Sequence, residues 1–140
     1  MVNLRELALD AQAIHSMRVV AGVAINNGKV LVAKRAPIKT LAGFWEFPGG
    51  KVQSSESDHA ALIREFREEF AIDINPESLI CESYSKLENI RMFSYLITLT
   101  SQPVVSDSHD EIRWVSKEEL LELKVCPLDV DVVNVLVELI

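Results

Sequence analysis

Residues 49–72 read GGKVQSSESDHAALIREFREEFAI, and this stretch of the 140-residue chain is the most informative about its fold. The spacing predicts a helix over residues 57–70. Ser57 is a good N-cap, and Ile63, Phe66 and Phe70 recur at i, i+3 and i+7 along one face. Glu65, Glu68 and Glu69, at i, i+3 and i+4, project together from another face. Glu65 and Glu69 form a like-charge i, i+4 pair that costs an isolated helix about 0.2–0.5 kcal/mol. Glu56, just before the N-cap, can fold toward the same patch. Carboxylates gathered in this way either raise one another's pKa or bind a cation, and hard oxygen donors suit Mg²⁺ or Mn²⁺ better than zinc. A solvated acidic face, paired through Arg64 with Glu68 and through Arg67, is the commoner outcome of such a pattern. The upstream run Phe47-Pro48-Gly49-Gly50-Lys51 shifts the balance, because two glycines allow backbone groups to approach a metal or phosphate closely.

Upstream of this stretch, Arg18–Ile25 and Val30–Lys34 are rich in β-branched residues and flank Asn26-Asn27-Gly28-Lys29, a hairpin signal. Gly43–Phe47 reads as a short strand stopped by Pro48-Gly49-Gly50. Downstream, Ile80–Leu87 and Ile90–Thr100 read as two antiparallel strands around Glu88-Asn89, and Glu111–Val115 as a short strand after a polar loop. Ser116 and Glu119 form a capping box for a short helix, and Pro127 suits the first turn of a helix running to about Ile140. Residues 1–16, with Leu4, Leu7, Ala11 and Ile14 near helical spacing, read as a helical extension before a single domain over 17–140. Strands interleaved with helices, without repeats or linkers, predict an α/β sandwich around a mixed β-sheet.

The whole chain, 49% apolar and 25% charged, is ordinary for a globular protein. Its net charge of −7 disfavours partnership with a nucleic-acid polymer or an anionic membrane, because both reward a basic face. A small polyanionic substrate remains compatible, since a bound divalent cation reverses the local field. Cys81 and Cys126 share no short spacing with a histidine, and the longest apolar run, Val19–Ile25, is far too short to span a bilayer. The N-terminus has no secretory apolar core, so a cytoplasmic protein with reduced thiols is expected.

With these residues in place, the sequence resembles the Nudix hydrolase family, whose signature is G-x5-E-x7-R-E-U-x-E-E-x-G-U, where U is a bulky apolar residue. Gly50 begins the match, Glu56 follows after five residues and Arg64-Glu65-Phe66 after seven more, then Arg67, Glu68-Glu69, Phe70 and Ala71-Ile72. Six such identities, each at roughly one in fifteen, coincide by chance about once in ten million registers. Ala71 departs from the family's glycine, a helix C-cap position of left-handed conformation, at a cost on the order of 1 kcal/mol. The resemblance extends over about residues 18–140 toward the MutT-like branch. It implies a Nudix-type α/β/α sandwich and an Mg²⁺-dependent (Mn²⁺-tolerant) pyrophosphohydrolase. A nucleoside triphosphate, including oxidised or modified ones, would yield the monophosphate and pyrophosphate. The partner implied is thus a small nucleotide, and the protein is expected as a monomer or homodimer.

The resemblance also implies roles. Glu65, Glu68 and Glu69 would be metal carboxylates, joined by the Gly50 carbonyl, with Glu56 in support and Arg64 orienting the glutamates. Arg35 and Lys51 are candidates for phosphate contact. MutT-like enzymes often carry a further glutamate six residues before a late-strand tryptophan, but counting back from Trp114 gives Ser108. Asp107, His109, Asp110 and Glu111 are the neighbours that could serve as base or extra ligand. Asp129, after Pro127 at the start of the last helix, is the candidate base reader. Ionised, it would accept from an exocyclic amino group; protonated, it could also pair with an oxidised guanine. Alternatives are hydrolysis of ADP-ribose or another nucleoside-diphosphate derivative, and a non-catalytic nucleotide sensor on the same scaffold. An interaction domain with an acidic helix would leave the glycine-to-glutamate spacing unexplained.

Overall fold

The computed structural model describes residues 16–103 and 109–140. Strand β1 (Met17–Asn26) is the axis of the fold. Its run Val20-Ala21-Gly22-Val23-Ala24 is buried throughout, as expected of a strand covered on both faces. Alternate residues serve different cores: Val20 and Ala24 join one apolar cluster, Ala21 and Val23 the other. One edge of β1 is shared between β2 (Lys29–Arg35), which joins it at the Asn26–Lys29 hairpin, and β4 (Gly49–Lys51), which runs antiparallel beside Val19–Ala21. Its other edge pairs in parallel with β6 (Ile90–Leu99) over Met17–Ala24. Strand β2 pairs with β3 (Trp45–Glu46) and β7 (His109–Val115), and β6 pairs antiparallel with β5 (Ile74–Ser85).

Helix α1 (Asp58–Phe70) covers one face of this mixed sheet with Ala61, Leu62, Phe66 and Phe70. Helices α2 (Lys117–Glu122) and α3 (Val130–Leu139) cover the other through Leu120, Val132, Val133 and Leu136. The expected α/β/α sandwich is therefore the observed architecture. Ser57 caps α1, accepting from the Ala60 amide at 3.1 Å, and the Ser116–Glu119 capping box is formed on both sides. Along β1 the partner changes from β4 at Val19–Ala21 to β2 at Ile25–Asn26, and the cleft described below is lined by residues of β1, β2, β3, β4 and β7.

Several boundaries differ from expectation. Strand β5 begins at Ile74, six residues before Ile80. Its register shifts between Pro76 and Leu79 and again before Cys81, so the alternation that signals a strand is broken in its first half. The Gly49-Gly50 run, expected to stop a strand, is itself a strand paired to β1. Strand β7 includes His109 and Asp110, and Pro127–Asp129 form a 3₁₀ turn before α3. The expected N-terminal helix lies outside the described residues apart from Ser16. Among the described residues no helix is long and apolar enough to cross a membrane, and Cys81 and Cys126 are free thiols.

Ala71 occupies the left-handed region (φ 54°, ψ 35°) as the C-cap of α1, and its amide donates to the Arg67 carbonyl at 3.1 Å. An alanine there carries steric strain of about 1–2 kcal/mol, partly offset by the unfolded-state entropy it removes relative to glycine. Ala71→Gly should therefore stabilise the chain by about 0.5–1 kcal/mol, read as a higher midpoint in chemical denaturation. A lower midpoint would mean that the cap geometry contributes no strain.

Candidate active site

The two glycines of β4 face different neighbours. A Cβ on Gly49 would lie 1.9 Å from the Val20 carbonyl oxygen, so only glycine permits β4 to pair this closely with β1. A Cβ on Gly50 would lie 2.4 Å from the Glu65 carboxyl carbon, so the Glu65 carboxylate occupies the space that a side chain would take. Arg64 then ties the loop to the helix. Its Nε and Nη2 donate to the two Glu56 oxygens at 2.8 and 3.0 Å, Nη1 to Glu65 at 2.9 Å, and Nη2 to the Lys51 carbonyl at 2.9 Å. Glu68, more exposed, stands 3.4 Å from the same guanidinium. Hydrogen bonds from Arg64, and then the Gln53 amide, hold the Glu56 carboxyl below the usual carboxylate range.

Glu69 is set deeper. Its Oε2 is buried without a hydrogen-bond partner. Burial first, then the neighbouring charges of Glu65 and Glu46, push this carboxyl up to about 8. Facing it at 3.9 Å is Nδ1 of His109, also buried and unpartnered, on a ring that stacks against Phe70 with centroids 5.3 Å apart. The other ring nitrogen, Nε2, lies 3.6 Å from Glu46. Glu46 in turn accepts from Arg35 Nη1 at 2.7 Å. Burial alone would raise the Glu46 carboxyl, but His109 and Arg35 outweigh it and hold the group below its ordinary range.

These groups line a cleft of about 490 Å³ that runs on to Phe47, Cys126 and Asp129. Asp129 is 4% exposed, and its Oδ1 accepts from the Phe47 amide at 3.1 Å. Burial pushes its carboxyl up to about 8, and Glu46 adds to the shift against the Phe47 hydrogen bond and Arg35. Burial likewise pushes the Cys126 thiol up to about 12, so it is an inert wall of the cleft and no nucleophile.

The residues fit a divalent cation. The donor set is hard oxygen, a buried carboxylate oxygen of Glu69 has no partner, and the Gly50 Cα lies against Glu65. Among the described residues no three such groups already meet at one point, since Arg64 draws Glu56 and Glu65 to itself. Glu65, Glu68 and Glu69 would hold the ion, with Glu56 and the Gly50 carbonyl near.

Of the sequence-predicted residues, Gly50, Lys51, Glu69, Arg35 and Asp129 line the one cleft, and Glu65 adjoins it through Gly50. Arg35 is not presented as a free phosphate contact. Its Nε donates to the Thr40 carbonyl at 2.6 Å, Nη2 to the Thr40 hydroxyl at 3.4 Å, and Nη1 to Glu46. Among the neighbours of Ser108, His109 enters the cleft. Asp110 is exposed and does not line the cleft, and Glu111 is spent on Arg113 at 2.7 Å. Asp107 and Ser108 lie outside the described residues. Sequence reasoning missed Glu46 and Lys39. The motif's spacing begins only after Glu46, and an isolated loop lysine carries no pattern.

The NUDIX domain family matches residues 16–135, and the chain belongs to the Nudix hydrolase family. Over 116 residues it is 31% identical to the CTP pyrophosphohydrolase of Escherichia coli (strain K12), covering 81% of this chain and 86% of that protein. Over 74 residues it is 39% identical to the 8-oxo-dGTP diphosphatase of Proteus vulgaris, covering 51% of this chain and 62% of that protein. The solution structure of the E. coli ORF135 protein superposes with a TM-score of 0.79 at 29% identity, over 88% of this chain and 89% of that one.

The glycine geometry predicts opposite phenotypes. Gly49→Ala meets backbone and should cost about 3 kcal/mol in denaturation, whereas Gly50→Ala meets a side-chain end and should leave the fold nearly unchanged. Divalent-metal affinity should instead fall about tenfold in Gly50→Ala as Glu65 is displaced; equal affinity would separate Gly50 from the metal. Asp129 predicts a pH effect. Between its unfolded value of about 4 and its folded value of about 8, the folded chain keeps a proton that the unfolded chain has lost. The stability this carboxyl contributes is thus full below about pH 4 and lost as pH rises toward 8. Melting temperatures of Asp129→Asn relative to the parent should climb across that window and level off above it; a constant gap would mean an ordinary carboxyl.

Proposed function

We propose that the chain is an Mg²⁺-dependent, MutT-like pyrophosphohydrolase that cleaves a nucleoside or deoxynucleoside triphosphate to the monophosphate and pyrophosphate. One observation carries this reading: a single cleft is lined both by Glu69, whose buried Oε2 has no hydrogen-bond partner, and by the buried Asp129 carboxyl. The first suits a cation and phosphates, the second a nucleobase. The names of the CTP and 8-oxo-dGTP relatives support the same class of substrate.

The bound ion would neutralise charge on phosphoryl oxygens and activate a water for in-line attack. The chain's own residues supply the frame. Glu65, Glu68 and Glu69 hold the ion, Arg64 fixes Glu56 and Glu65 in place, and Lys51 on the cleft wall meets phosphate. Asp129 reads the base. With its carboxyl pushed up to about 8, it is largely protonated at neutral pH and can donate from one oxygen while the other accepts. That edge fits a carbonyl beside an N–H, as in natural or oxidised guanine; after ionisation it fits an amino group, as in cytosine. We place this chemistry in the reducing cytoplasm, consistent with two free cysteines.

The test is release of pyrophosphate and phosphate from dCTP, dGTP, 8-oxo-dGTP, dATP and ADP-ribose, with and without Mg²⁺. Pyrophosphate should appear from at least one triphosphate only with the metal. Glu68→Gln should reduce that turnover by about a hundredfold, equivalent to ~2.7 kcal/mol in the barrier. Cleavage of ADP-ribose alone would replace the triphosphate with another nucleoside-diphosphate derivative. Binding without turnover would make the chain a sensor.

A further inference from the structure

The segment between β2 and β3 is held down by its own hydrogen bonds. The Arg35 amide donates to the Phe44 carbonyl at 2.9 Å, Gly43 to the Arg35 carbonyl at 3.2 Å, and Lys39 to the Ala36 carbonyl at 3.0 Å. Over these, the Arg35 side chain clasps Thr40 through its carbonyl and hydroxyl while Glu46 anchors the guanidinium from β3. The clasp fixes the stretch that brings Lys39, Thr40 and Leu41 to the wall of the cleft. Lys51 stands in the lining of the same cleft, on β4.

Lys39 is an uncommitted cation. Among the described residues no carboxylate lies within ion-pair distance of its ammonium, and the same holds for Lys51. Its charge is nevertheless felt at Glu69, a half-buried carboxylate of the same cleft. A solvated surface lysine is the ordinary outcome for such a residue. Here the backbone that carries it is pinned beside a cleft rich in acids, on a chain of net charge −7. Glu46, Glu69, Glu88 and Asp129 line the cleft against Arg35, Lys39 and Lys51, and Arg35 is already neutralised by Glu46. A polyphosphate entering there needs free cationic donors, and an ammonium on a flexible stem follows phosphate oxygens without a fixed geometry.

We propose that Lys39 is a second phosphate-binding residue of this cleft, acting with Lys51, and that Arg35 is the positioning residue that holds its loop in place. This rests on the triphosphate reading above. It moves the contact expected of Arg35 to its neighbour four residues on.

The experiment is calorimetric binding of inorganic pyrophosphate in the presence of Mg²⁺, alongside KM and kcat for the preferred triphosphate. Lys39→Ala should weaken pyrophosphate binding about tenfold and raise KM by a similar factor with kcat nearly unchanged. Binding of the nucleoside monophosphate should stay within about twofold, and Lys39→Arg should restore most of the loss. Arg35→Met should weaken pyrophosphate to a similar degree. If Arg35 acts through Lys39, the double variant should be no worse than either single one. Unchanged pyrophosphate affinity in Lys39→Ala overturns the proposal, and additive losses overturn the role given to Arg35. Thermal denaturation of each variant shows that it is folded. Since pyrophosphate binding is measured without turnover, failure of the wild-type chain to cleave any triphosphate overturns the substrate reading separately.

Discussion

The fit of the Glu65 carboxylate against the bare Cα of Gly50 is the contact on which the site depends. It sets how closely β4 can approach α1, and it leaves the carboxylate at the strand's backbone. Arg64, the residue before it, completes the junction by holding Glu56, Glu65 and the Lys51 carbonyl at once. An acidic face that would repel itself on an isolated helix is thus tied to the loop by one guanidinium whose own proton is held more tightly than usual, chiefly by Glu56. The same arrangement explains why two adjacent glycines are required for unrelated reasons. One admits the backbone of β1 and the other admits a side chain of α1.

Within the cleft, Asp129 is fully buried and Glu46 and Glu69 are half-buried to a similar degree, yet their charge states do not follow that order. Glu69 and Asp129 rise to about 8 because burial dominates and nearby acids add to it. Glu46 is half-buried much like Glu69, but it lies between Arg35 and His109, and these outweigh the desolvation. Counter-charge, and not depth, sorts them. The result is an ionised Glu46 beside two acids whose protons are held more tightly than usual. Charge taken out of water without a close counter-charge is costly, which is why these two groups rise and Glu46 does not.

Much of this was legible along the chain. The helix at 58–70, its Ser57 cap and the glutamate face follow from local spacing, and the left-handed position of Ala71 is implied by the resemblance to the Nudix signature. The early start of β5 was not, because its register shifts interrupt the alternation that reveals a strand. Nor could spacing show that Gly49 and Gly50 pair as a strand, since an isolated Pro-Gly-Gly reads as a stop until β1 is beside it. Asp110 and Glu111 looked equivalent to His109 along the chain. Strand alternation and the partner at Arg113 carry Asp110 and Glu111 away from the cleft, while His109 packs on Phe70.

By itself the sequence determined the α/β class, the acidic helix and the glycines before it, because helix periodicity, caps and turn chemistry act over a few residues. Which partner each charge received was decided only by the tertiary structure. Arg35 meets Glu46 across a loop, His109 faces Glu69 from another strand, and Asp129 accepts from Phe47, 82 residues away in the chain. Hydrogen bonds and desolvation depend on distance in space, so these pairings, and the pKa shifts that follow, come into existence only when the sheet and helices close.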